Sequence, residues 1–169
     1  RQMCIRDRHY TVECSRTSYR RFMGQALMWE HRTIEKAVAL MEAALVRMRR
    51  TGILETRFLE LSSDFIRTYA DRTHHGKEED ILFRELRGKS LTPELGVIMD
   101  ELVAEHVRGR ELTRQVVAGV ELYAVDANAG LESVTEALQQ LCELYPGHIK
   151  KEDEQFFHPV MRYFDRAEM

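Results

Sequence analysis

The chain has 169 residues, with 28 acidic and 25 basic side chains and a formal net charge of -3. That balance excludes nucleic acid as the main partner, because domains built for it carry a clear basic excess. With 44% hydrophobic and 31% charged residues but only three prolines and nine glycines, the composition is that of a globular domain made of a few long helices rather than many short strands.

The chain opens on "RQMCIRDRHY", which lacks the continuous apolar segment of a signal peptide and resembles translated adapter sequence. Residues 1–17 are therefore expected to stand outside the domain, disordered or artefactual, with the domain spanning 18–169. Cys4, Cys14 and Cys142 form no CxxC and no metal-type spacing. An odd, unframed set of cysteines points to a reducing compartment, so a cytoplasmic location is expected. No apolar run approaches the roughly 20 residues of a membrane span.

From about Tyr19 to Met48, apolar residues recur at helical spacing through Phe22, Leu27, Ile34, Val38, Met41 and Leu45. Gly52 stops this first helix. A second helix is predicted from Leu54 to Leu86, through Phe58, Leu61, Phe65, Tyr69, Leu82 and Phe83. "GKSLTPE" breaks the pattern and begins the next helix, with Thr92 as N-cap, Pro93 at its first position and Glu94 in its first turn. The third helix is predicted from Pro93 to Tyr123, and the fourth from about Leu131 to Phe164. Pro146 should kink or break the fourth just before His148, and Pro159 should disturb it again. Four long helices with short connections predict an all-α, up-down-up-down antiparallel four-helix bundle.

One short motif is written twice. "THHGKEED" places His74 and His75 four residues before Glu78 and Glu79, and "GHIKKEDE" places His148 before Glu152 and Asp153. Residues equally far from a shared turn lie at one height in an antiparallel bundle. By that test His31, His74 or His75, His106 and His148 match to within a few ångströms at about 1.5 Å per residue. All four helices then bring imidazole to one layer. His74 with Glu78, and His148 with Glu152, are i,i+4 pairs on one helix face. Neutral imidazole plus carboxylate suits iron, manganese or zinc, and a metal would offset the cost of burying the carboxylates. Adjacent residues of an α-helix point about 100° apart, so His74 and His75 should not face one metal equally. The second copy reads His-Ile, which aligns His74 with His148 and favours His74 as the ligand.

The ordered set "EHRTIE" around His31, "HHGKEEDILF" at 74–83, "EHVRGR" around His106 and "HIKKEDEQFFHPV" at 148–160 resembles the hemerythrin family, in its HHE cation-binding branch. The resemblance covers roughly residues 25–164. It implies a non-heme iron site, a diiron centre in the fullest form, with mononuclear iron, manganese or zinc as other occupants. The implied metal ligands are His31, His74, Glu78, His106, His148 and Glu152, with Glu78 a candidate bridge. His75, Glu79 and Asp153 stand as alternates; Asp153 occupies the aspartate position of oxygen carriers. Those carriers have a second third-helix histidine where this chain has Arg110, which cannot ligate. The implied ligand is dioxygen or another small diatomic or peroxide, in a binding protein more than an enzyme. An iron- or oxygen-responsive sensor or a metal-storage module is the alternative. Trp29, Phe65, Tyr69, Phe83 and Phe156 are candidates for an apolar shell around the site, although aromatics at such spacing read first as plain bundle core.

Overall fold

The structure, a computed structural model, describes the backbone of residues 16–164 and the side chains of residues 24–164. The predicted N-terminal segment 1–17, with Cys4, Cys14 and His9, lies almost wholly outside the described backbone, and its side chains are outside it altogether.

Four long helices run through the described residues. Helix α1 is Arg16–Thr51. Helix α2 covers 56–87; it is α-helical over Thr56–Phe65, takes wide π-type turns over Ile66–His75 and Glu78–Phe83, and closes as Arg84–Arg87. Helix α3 is Pro93–Tyr123. Helix α4 starts as Ala127–Lys151, takes wide turns over Glu152–Phe156, and ends through Phe157–Val160 and Met161–Tyr163. The connections are a few residues each, so sequential helices are antiparallel neighbours, and α1 packs back on α4. The bundle is all-α and no described residue is in a strand.

The caps follow from local chemistry. Gly52 has φ 68°, the left-handed conformation that ends α1 at little cost to glycine. Thr92 accepts a hydrogen bond from the Leu95 backbone N–H at 3.4 Å, with Pro93 first in the helix. Asp126 caps α4 by accepting from Asn128 and Ala129 at 3.0 Å each. The fourth helix thus begins four residues before the apolar periodicity suggests.

The expected break at Pro146 does not occur: α4 is helical from Ala127 through Lys151 with Pro146 inside it. Pro146 lies on the exposed face of the helix, so its ring crowds no core side chain. The backbone departs from α geometry further on, between Glu152 and Phe156, one turn before Pro159.

Inward positions recur at 27, 31, 34, 38 and 41 in α1, at 99, 102, 106, 109 and 112 in α3, and at 138, 141, 145, 148, 152 and 156 in α4. In α2 they recur every four residues, 66, 70, 74, 78 and 82. A strict four-residue repeat would drift around an α-helix. It fits a helix whose turns alternate between bonds to i−4 and bonds to i−5. The wide turns carry their own bonds: Gly76 N–H donates to the Asp71 carbonyl, and the Thr73 hydroxyl to the Thr68 carbonyl at 2.8 Å, both five residues back.

The core is divided. One apolar cluster, with Met41, Met48, Leu59, Leu112 and Leu138, fills the end nearest the α1–α2 and α3–α4 turns. The other, with Leu27, Leu86, Leu102, Phe83, Phe156 and Phe157, fills the opposite end. A layer of buried histidines and glutamates lies between them.

Helices α3 and α4 meet closely at their shared turn. A Cβ at Gly130 would stand 2.3 Å from Tyr123 Cα. Gly130→Ala must push two backbones apart, and is expected to cost about 1–3 kcal/mol. That lowers the melting temperature by roughly 2–4 °C per kcal/mol in a domain of this size, readable by calorimetry.

Candidate metal centre

Each helix delivers its histidine from the same inward stripe that builds the core. His31 comes from α1, His74 and His75 from α2, His106 from α3 and His148 from α4, and all five are at most 4% exposed. Glu78 and Glu152 are fully buried among them.

These side chains form two groups whose donor atoms lie within 4.8 Å of one another: His31, His74, Glu78 and Glu152 in one, and His75, His106 and His148 in the other. The two carboxylates reach both groups. Glu78 stands 3.2 Å from His74 Nε2 and 3.4 Å from His106 Nε2. Glu152 stands 3.1 Å from His31 Nε2 and 3.3 Å from His148 Nε2. Yet all four oxygens of Glu78 and Glu152, and Nε2 of His31, His74 and His75, have no hydrogen-bond partner. Buried polar atoms left unpaired are costly, and so many converging acceptors without a donor suit a cation.

His74 and His75 are both turned inward, 1% and 3% exposed, and face different groups. The two were expected not to face one metal equally, with His74 favoured and His75 an alternate ligand. They sit at the end of the wide-turned stretch Ile66–His75, where adjacent residues diverge less. His75 stacks on His106 with ring centroids 3.8 Å apart, and so occupies the third-helix side that Arg110 leaves without a second imidazole.

Arg110 does not point at the site. Its Nε donates to Asp71 and its guanidinium NH2 to Glu79, both at 2.7 Å. Glu79 and Asp153 belong to neither group. They form an outer ring with residues that the sequence reasoning passed over. His31 Nδ1 is 2.8 Å from Asp153, His74 Nδ1 2.9 Å from Glu30, His106 Nδ1 2.7 Å from Glu79, and His148 Nδ1 2.9 Å from Glu105. In every case the carboxylate comes from the preceding helix around the bundle: α1 holds α2, α2 holds α3, α3 holds α4, and α4 holds α1.

A cation from the histidine's own helix closes each link. Arg32 binds Asp153, Lys77 binds Glu30, Arg110 binds Glu79, and Lys151 binds Glu105 at 2.6 Å. The outer carboxylates are written in the sequence as neighbours of the inner residues, in "EH" at 30–31 and 105–106, "EE" at 78–79 and "ED" at 152–153. The repeated "EH" was the signal available beforehand.

The electrostatics fix the proton positions. The hydrogen bond from His148 outweighs burial and holds Glu105 down to about 2. Burial would raise Glu30, but the bonds from Lys77 and His74 bring it below its ordinary value. An ionised carboxylate only accepts, so Nδ1 of the histidine facing it carries the proton and Nε2 presents a free lone pair inward. Burial pushes His74 and His75 down to about 3 and His106 to about 2, keeping the rings neutral. Glu78 and Glu152 are pushed up, first by burial and then by neighbouring carboxylates.

Of the aromatics that are candidates for the shell, Phe83 and Phe156 are there: Phe83 stacks on His106 at 6.0 Å and meets Phe156 edge-on. Trp29 is 76% exposed and encloses nothing. Phe65 and Tyr69 stack on each other against the other apolar cluster. Phe157, which stacks on His31 at 5.7 Å, stands at the site instead. His158 is exposed and outside the site.

A four-helix bundle with a polar layer of this kind defines a class of helical cation-binding domain. The chain matches the hemerythrin HHE cation-binding domain over residues 24–160, most of its length, and it belongs to that family. Comparison with curated proteins gave no match, and neither did comparison with solved structures. Among the described residues no helix is long and apolar enough to cross a membrane.

Proposed function

We propose that the two groups hold two iron ions side by side and that the protein binds or reacts with dioxygen or a related small ligand there. The observation that carries this reading is that Glu78 and Glu152 each reach histidines of both groups. Carboxylates so placed would hold two ions between them, where a single ion would need only one group. The assigned ligands are His31 and His74 on one side, His75, His106 and His148 on the other, and the two glutamates between. Imidazole with carboxylate suits iron, manganese and zinc alike, and the family's redox chemistry favours iron.

A bound iron pair supplies electrons and open positions for a small oxygen-derived ligand. The chain's own residues do the rest. The side of His31 and His74 offers two imidazoles against three, so an ion held there would leave more room for an exogenous ligand. Phe157, stacked on His31, covers that side, and Phe83, stacked on His106, covers the other. The outer ring orients Nε2 of His31, His74, His106 and His148 inward, an arrangement in which carboxylates behind the ligands raise their basicity.

Iron-loaded protein, reduced and then exposed to air, is expected to develop near-ultraviolet absorption that azide alters. A spectrum that neither air nor azide changes removes the proposed chemistry. Glu105→Gln, which leaves the inner residues intact but weakens the acceptor behind His148, is expected to lower iron affinity about 10–100-fold, measured by competition with a chelator.

A further inference from the structure

A cleft of about 500 Å³ opens between α2 and α3 and ends against the metal layer, with His75 and Tyr145 in its lining. Its walls include Ile66 and Val117, and Arg67, Arg110 and Arg114 line it against Asp71 and Glu121. Arg110 already neutralises Asp71 at 2.7 Å, and Arg114 pairs with Glu111 at an exposed position. Apolar walls, a few convergent polar groups and a volume of this size are the marks of a small-molecule pocket.

A further observation points to an occupant. Gly109 is a buried mid-helix glycine, which is unfavourable relative to alanine. Gly119 is required by Val134, whose Cγ2 would stand 2.7 Å from an added Cβ. No such crowding requires Gly109, where a Cβ would meet only Leu144 at 3.7 Å and Tyr145 Oη at 3.9 Å. What a larger residue would take there is the floor of the cleft.

We propose that this cleft binds a small organic carboxylate, with its charge at Arg67 and Arg114 and its apolar body along Ile66 and Val117 toward Tyr145 and His75. The pocket lies beside the metal assignment and does not need a ligand on the metal.

Calorimetric titration of the iron-loaded protein with butyrate, and with butyramide as the neutral isostere, tests it. Butyrate is expected to saturate with a Kd below about 5 mM, and butyramide to bind at least about tenfold more weakly. Arg67→Ala and Arg114→Ala should each weaken butyrate by about tenfold while iron content stays unchanged. Gly109→Val should abolish binding, and Ala118→Trp, at an exposed position in the cleft lining, should do the same without touching the core. Equal binding of acid and amide, indifference to both arginine variants and to Ala118→Trp, or no saturation by butyrate would overturn the proposal. So would butyrate binding that changes the iron spectrum while ignoring Arg67, since that is coordination and not the cleft.

Discussion

Alanine at His74 and alanine at His75, made one at a time, are each expected to lower bound iron from about two ions per chain to about one or fewer. The two rings are adjacent in sequence but serve different groups, His74 with His31 and His75 with His106 and His148. Each substitution should therefore empty its own side first. His74→Ala removes one of only two imidazoles on its side, and is expected to abolish the response to azide while leaving some iron bound. His75→Ala leaves that side intact and takes one of three imidazoles from the other. Both variants also disturb the sharing of Glu78 and Glu152, so the loss can exceed one ion. Metal analysis after gel filtration, with the azide spectrum beside it, separates the two. Full metal retention in His75→Ala would return the site to His74 alone.

Glu78→Gln and Glu152→Gln should move stability in opposite directions with and without metal. Both carboxylates are fully buried and raised above the ordinary carboxylate range, chiefly by burial. In the metal-free fold such a group holds its proton where the unfolded chain has released it. Stability is then lost as pH rises above the unfolded value of about 4.5. Glutamine keeps the shape without the ionisable proton, so metal-free Glu78→Gln is expected to be more stable than the parent at pH 7, by about 1–4 kcal/mol. The gain should shrink toward pH 5, where the unfolded parent begins to hold those protons as well. With iron present the sign reverses, because the amide cannot replace a bridging carboxylate and metal stabilisation is lost. Denaturant unfolding of both proteins, with and without iron at the two pH values, gives all four comparisons. A metal-free glutamine variant less stable than the parent at pH 7 would mean these carboxylates are compensated by something other than a cation.

Much of the bundle was legible because its residues obey one simple rule. Leu27, Ile34, Val38 and Met41 mark the inward stripe of α1, and His31 falls on that stripe between them. The same holds for His106 between Leu102 and Leu112, and for His148 between Leu141 and Phe156. Thr92 and Pro93 fixed the start of α3 in advance. Two features were not legible. The wide turns over Ile66–His75 depend on carbonyl bonds five residues back, which leave no mark in apolar periodicity except a repeat of four. That is why His74 and His75 read as rivals and turn out to be neighbours facing two groups. The outer ring was hidden for another reason. Glu30, Glu105, Lys77 and Lys151 have the composition of a solvated helix face, and only the packing of one helix against the next shows what they hold. Trp29, a candidate for the shell or the core, shows that a large apolar residue next to a ligand position can still fall on the outer face.

The central claim is that one buried layer holds two ions through shared carboxylates. Its most direct test is iron stoichiometry in protein loaded under anaerobic reducing conditions and freed of excess metal. The account predicts about two irons per chain, falling to about one or fewer in Glu78→Gln. A parent protein that saturates at about one iron, with Glu78→Gln unchanged, would contradict it.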